Sequence, residues 1–209
     1  EINYRDWSSD VCSSDLNIKN MRSNLHFIVL TALFTALTAV GAFIKIPVGP
    51  APITLQLLFI AMAGMLLGPF WGAVSQILYV ALGLIGVPLF TAGGGFSYIY
   101  NPTFGFLLGF ILVPIVIGTL LDKYYKADFV TTFFIVMLGM LSCYLIGVPY
   151  MYMILHNVMG TPITLPKALL TGFLIFIPGD IVKSMVTAYL SRRLTPIRLM
   201  MRHSRKVTD

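Results

Sequence analysis

Asp180 and Lys183 stand three residues apart in FIPGDIVK, inside an apolar run from Ala168 to Leu190 that holds no other charge. That spacing puts both side chains on one face of a helix, where a carboxylate and an ammonium can pair or share a ligand. Ionisable groups at membrane depth cost at least about 2.5 kcal/mol each on insertion scales, and they usually line a cavity or a substrate path. Pro178 interrupts the backbone ladder, so IPGD opens a fresh helical segment with Asp180 near its N-cap. Twelve residues separate Asp180 from Arg192, roughly 18 Å of helix against an apolar core about 30 Å thick. The pair therefore sits below the membrane surface in the outer half. Two roles are open to it: a ligand-binding pair, or a carboxylate that caps the helix and neutralises Lys183.

A second candidate is PLFTAGGGFSYIYNPTFGFLLGF, residues 88–110. Gly93, Gly94 and Gly95 give backbone that can approach a ligand closely, and Phe90, Phe96, Tyr98 and Tyr100 supply flat apolar walls. The segment suits a cap over a pocket, with a plain hydrophobic turn as the alternative. It is no dinucleotide fingerprint, because no strand precedes it and no βαβ unit surrounds it. In the stretch IKIPVGPAPITLQ, Pro47, Pro50 and Pro52 keep the chain rigid and non-helical. Gln56 follows, where its amide can bond a ligand or another helix. Other chemistries find little support. The two cysteines, Cys12 and Cys143, have no metal-ligand spacing to histidine, so neither a metal site nor a cofactor is expected. His156 beside Asn157 lacks the nucleophile and base of an active site, and no G-x-x-x-x-G-K-[ST] phosphate loop occurs.

The elements that must position these residues follow from composition. Of 209 residues, 57% are hydrophobic and 11% charged, and the mean hydropathy is +0.87, a membrane-protein profile. From residue 24 onward, Gly/Pro clusters and charges divide the chain into six spans: Asn24–Ile46, Ile53–Trp71, Gly72–Phe90, Thr103–Leu121, Val130–Pro149 and Ala168–Leu190. The second runs into the third through LLGPFWGA, which requires a very short turn. Lys19, Arg22, Lys123, Lys126 and the six basic residues from Arg192 to Lys206 fall at one set of span ends. Only Lys45 and Lys167 fall at the other, so both termini are expected in the cytoplasm. The basic tail, residues 195–209, reads as a topology signal with membrane-lipid contact rather than nucleic-acid binding. Residues 1–20 are polar and Ser/Asp-rich; they are expected to be a non-native or disordered extension, with Met21 the natural start. The membrane domain is then residues 21–194.

IPVGPAPITLQ, LLGPFWGAVSQILYVALGLIGVPLF, the glycine run, NPTFGFLLGF and FIPGDIVK, in this order and spacing, resemble the BioY family of biotin-binding S components of energy-coupling factor (ECF) vitamin transporters. The resemblance implies an all-α integral membrane protein, a six-helix S-component-like bundle in the cell membrane. It would bind biotin from outside and work with a transmembrane coupling subunit and two ATPase subunits. Carried over by motif, Asp180 and Lys183 contact the ligand, and the loop with Gly93, Gly94, Gly95, Tyr98 and Asn101 closes the site, with Gln56 beside it. Phe106 stands where the family pattern often has tyrosine, a departure that removes one hydroxyl. Ala32, Ala36 and Ala39 lie nearly on one face of the first span; the resemblance makes Ala32 and Ala36 the docking face for the coupling subunit, and packing inside the bundle is the other use of small residues there. Two further classes stay open: a self-sufficient proton-coupled carrier built on Asp180, and an intramembrane enzyme.

Overall fold

The computed structural model describes residues 25–201 apart from 49, 125, 126, 162 and 195. The stretch 1–20, Met21 and Cys12 lie outside the described residues. Six helices carry the architecture: α1 (Leu25–Phe43), α2 (Gln56–Ile85), α3 (Phe104–Lys123), α4 (Phe129–Met153), α5 (Leu165–Gly172) and α6 (Ile177–Arg193). Among the described residues, five helical stretches are long and apolar enough to cross a membrane: α1, α2, α3, α4 with its π-turn extension, and α5 joined to α6.

α2 holds both the second and the third expected span. Gly68 has φ +81° and ψ −170° inside it, next to Pro69, a conformation that glycine reaches without a Cβ penalty. The chain reverses there. In a straight helix Gln56 and Tyr79 would stand roughly 35 Å apart, yet Gln56 Nε2 lies 2.8 Å from Tyr79 Oη. The two arms, 56–67 and 69–85, are thus antiparallel neighbours, and the expected turn in LLGPFWGA falls on a single glycine. Their contact is close because it is built from glycine. A Cβ on Gly64 would meet Pro114 of α3 at 2.7 Å, and one on Gly72 would meet Pro114 at 2.8 Å and Gly64 at 3.3 Å, the small-residue packing that membrane helices need.

The hydrophobic core lies mainly between α2, α3 and α4, with Phe176 joining it just ahead of α6, and Tyr79, Ile117, Met140 and Met151 are fully buried in it. α1 leans on the second arm of α2 through a polar seam, Thr35 Oγ1 donating to Ser75 O at 2.9 Å and Gln76 Nε2 to Thr38 Oγ1 at 3.3 Å. Large apolar side chains on the outward faces, such as Phe134 and Leu145 of α4 and Val182 of α6, stay exposed, as expected of surfaces bathed in lipid.

Two departures from the expected spans shape the site. Residues 53–55 are not helical: Ile53–Thr54 (β2) pairs antiparallel with Lys45–Ile46 (β1), since Pro47, Pro50 and Pro52 deny the connection a helix. The last span is broken. α5 ends at Gly172, Phe173 adopts φ −136°, and a 3-10 turn, Leu174–Phe176, precedes α6. Beyond α6, a helical turn over 196–201 returns toward the bundle, with Arg198 Nη1 donating to Ser191 Oγ at 3.4 Å.

Candidate functional site

The break before α6 sets the floor of the site. Pro178 occupies the first turn of α6, and the cap position, Phe176, makes no side-chain capping bond. Asp180 therefore lies one turn in and does not act as the cap that the sequence allowed. Its Oδ1 accepts from Lys183 Nζ at 3.0 Å, and its Oδ2 accepts from the Tyr144 hydroxyl of α4. Asp180 and Lys183 are 2% and 8% exposed, a buried ion pair whose charges cancel. Such a pair holds when hydrogen bonds satisfy its remaining lone pairs, and the tyrosine supplies one.

Above this floor lies a cavity. Lys183 and Tyr144 face it from below; Phe106, Leu107, Phe110 and Phe176 form apolar walls, with Leu57 and Cys143; Pro52, Thr54, Gln56, Thr91, Tyr98 and Thr103 complete the upper part. Asp180 is not among these lining residues. It stands behind Lys183 and Tyr144 and borders a lateral groove with Phe134, Leu138 and Phe173. The cavity encloses about 50 Å³, against roughly 300–1,000 Å³ for small-molecule sites.

The outer loops are seated on it by a chain of hydroxyls whose direction can be worked out. Thr103 Oγ1 donates its one hydrogen to Asn101 Oδ1 at 2.7 Å, which also accepts from Thr103 N. Tyr98 must then donate to Thr103 Oγ1 across 2.9 Å, and Thr91 Oγ1 to Tyr98 across 3.1 Å. On the other wall Thr54 donates to Gln56 Oε1, Gln56 to Tyr79, and Tyr79 to the loop carbonyl of Leu89. Phe90 closes the loop against α2: a Cβ on Gly83 would sit 2.1 Å from its ring.

The expected site residues thus divide. Gln56, Tyr98 and Lys183 line the cavity, and Asp180 holds Lys183 from behind. Asn101 orients Thr103 and, like Gly93, Gly94 and Gly95, is not among the lining residues. The glycines seat the lid: Gly93 and Gly95 have φ +113° and +106°, Gly95 N donates to Gly83 O at 2.7 Å, and a Cβ on Gly94 would meet Val87 O at 2.3 Å. Tyr144, Thr54, Thr91 and Thr103 join the site unforeseen. Tyr144 is one of ten tyrosines, and only its bond to a residue thirty-six positions away marks it out. Ala32 and Ala36 are exposed on α1, whereas Ala39 is buried; the first two do not serve packing within the bundle.

Free donors remain on Lys183 and on Gln56 Nε2, and free lone pairs on Tyr144, Thr54 and Thr91. The arrangement suits a compact ligand with an apolar body and adjacent carbonyl and N–H groups. Fold and site together define a polytopic helical membrane protein with a lidded small-molecule site.

Comparison with known proteins agrees. The model of the BioY family matches residues 14–199, a range that reaches into the first twenty residues. A relative from Lysinibacillus sphaericus named "Probable biotin transporter BioY" is 41% identical over 170 residues, spanning 80% of this chain and 85% of its own. "Biotin transporter BioY" of Thermotoga maritima is 35% identical over 173 residues, spanning 82% and 97%. A crystal structure described as the S-component for biotin from an ECF-type ABC transporter superposes with a TM-score of 0.73 at 31% identity, covering 83% of this chain and 92% of that one. This chain belongs to the BioY family.

Proposed function

We propose that this chain is the biotin-binding and translocating subunit of a vitamin uptake transporter, with the driving energy supplied by separate subunits. The observation that carries the reading is the buried Lys183–Asp180–Tyr144 set at the floor of a lidded, aromatic-walled cavity. Biotin carries a ureido group with one carbonyl and two N–H groups, an apolar thioether ring, and a carboxylate on an alkyl tail. Lys183 donates to the ureido carbonyl. Tyr144, whose hydrogen is committed to Asp180, offers its lone pairs to a ureido N–H, and the threonine oxygens offer theirs. Phe106 and Phe176 enclose the ring. Asp180 works through Lys183 and Tyr144: it keeps the ammonium paired and aimed. A site left with unpaired buried donors rejects ligands that lack the matching groups.

Room for the ligand comes from the outer loops, 44–55 and 86–103. The cavity must grow severalfold, and its upper wall is held by single hydrogen bonds, whereas the lower wall is packed helix. Biotin therefore enters from the outer face, where the loops part and close again.

The chain carries no phosphate loop, so ATP hydrolysis by that route falls to partners. We assign these as an ECF transmembrane coupling subunit and ATPase subunits. Ala32 and Ala36, exposed on α1 between Ile28 and Val40, offer a face on which another helix can approach closely. We assign the chain to the plasma membrane, and the distribution of Lys and Arg supports a topology with both termini cytoplasmic. Uptake of labelled biotin into proteoliposomes tests the whole reading. The expected result is uptake that requires the coupling module and ATP; uptake by this chain alone under a pH gradient would replace it with a proton-coupled carrier.

A further inference from the structure

The mouth of the cavity carries charge of one sign. Residues 44–55 and 86–103 contain Lys45 and no other Lys, Arg, Asp or Glu. In β1, Lys45 pairs across the strands with Thr54 of β2, and its ammonium donates to the backbone carbonyl of Thr91 on the facing loop. Thr54 and Thr91 both line the cavity. Lys45 itself is exposed and not among the lining residues; its side chain ties the β1–β2 ribbon to the loop that carries Thr91, at the outer edge of the cavity.

An ammonium has three hydrogens to donate, and Thr91 takes one of them. The outer loops offer no carboxylate for the rest. On the floor the situation is the reverse: Lys183 and Asp180 stand 3.0 Å apart and cancel. A ligand that brings its own negative charge finds an uncompensated partner at the mouth and none below.

We propose that Lys45 is the group that recognises a ligand carboxylate at the mouth of the cavity. The inference rests on the biotin-binding reading and sets the direction of the ligand: ureido ring on Lys183, tail rising between the aromatic walls, carboxylate at Lys45. Because the same ammonium holds Thr91, a bound carboxylate is tied to the lid loop. Its presence slows release as well as adding attraction.

The test compares biotin with biotin amide, in which the carboxylate is replaced by a neutral carboxamide, on wild type, Lys45→Gln and Lys45→Arg. Glutamine retains an N–H for Thr91 and loses the charge; arginine retains the charge. Lys45→Gln is expected to weaken biotin by about three- to tenfold, the range of a partly exposed charged contact, and to leave the amide unchanged. Lys45→Arg is expected to keep the wild-type preference for biotin. Equal affinity for biotin in Lys45→Gln and wild type, or an equal loss for both ligands, overturns the proposal. Should Lys45→Gln not fold, the wild type decides: its preference for biotin over the amide must shrink at high salt, and no preference overturns the assignment. Wild type that binds neither ligand refutes the biotin reading itself, and the proposal with it.

Discussion

Neutralising the floor pair one member at a time, and then together, separates a ligand site from a structural brace. Asp180→Asn leaves Lys183 as a buried ammonium without its counter-ion, since the carboxylate 3.0 Å away is gone. Asparagine has one carbonyl where Asp180 serves two donors, so either Lys183 or Tyr144 loses its acceptor. Lys183→Met leaves the Asp180 carboxyl buried without its cation and held by Tyr144 alone. Removing one partner of a buried pair costs about 3–5 kcal/mol, and removing both charges is often neutral. Both single variants should therefore unfold at lower temperature than wild type, and Asp180→Asn/Lys183→Met should recover most of the loss. Binding should not follow stability. Every variant lacking Lys183 loses a hydrogen bond from a charged donor, about 1.5–3 kcal/mol, which is roughly 10- to 150-fold in affinity. Asp180→Asn should fall in the same range because it releases the ammonium from its aim. Calorimetric titration with biotin, on detergent-solubilised samples whose thermal unfolding is recorded alongside, reads both quantities. A folded double variant that binds biotin with wild-type affinity would show that the pair braces the helix and does not grip the ligand.

Three further outcomes follow from the same geometry. Ala36→Trp, on the exposed face of α1, should weaken co-purification with the coupling subunit and ATP-driven uptake while biotin affinity stays at the wild-type value; unchanged uptake removes that face from the docking surface. Gly94→Ala would place a methyl 2.3 Å from Val87 O and so displace the lid, and stopped-flow release of a fluorescent biotin analogue should be faster in a protein of unchanged melting temperature. Asp128 caps α4 by accepting from Thr131 N at 3.1 Å, and this bonding to Thr131 holds its carboxyl below the usual carboxylate range. A carboxyl lowered by folding stabilises above its unfolded pKa and loses that contribution as pH falls through the lower folded value. The melting temperature should drop over that acidic interval in wild type and not in Asp128→Asn, which caps without titrating.

Much of the architecture is legible in the sequence because membrane spans announce themselves through length and hydropathy. Asp180 and Lys183 stand out for the same reason: a charge is conspicuous where none is expected. What stays hidden is local backbone geometry and long-range pairing. The reversal between the second and third spans is legible in LLGPFWGA, but not its seat: the sequence divides the spans at Trp71 and Gly72, and the backbone turns at Gly68. The break at Phe173, which sets Phe176 and Lys183 facing the cavity, has no residue of its own to signal it beyond Pro178. The glycine run reads as a loop that caps the pocket, and whether its glycines approach the ligand or seat the loop is not legible, because a positive φ and a close backbone approach look the same in sequence for either use. Tyr144, Thr54 and Thr91 belong to three different segments, and nothing short of the fold brings them together.

The most direct measurement of the central claim is calorimetric titration of the purified, folded wild-type chain with biotin, with riboflavin and thiamine as controls. Saturable heat with biotin at micromolar protein is expected, and none with either control. No heat with biotin, or equal heat with riboflavin or thiamine, would contradict it.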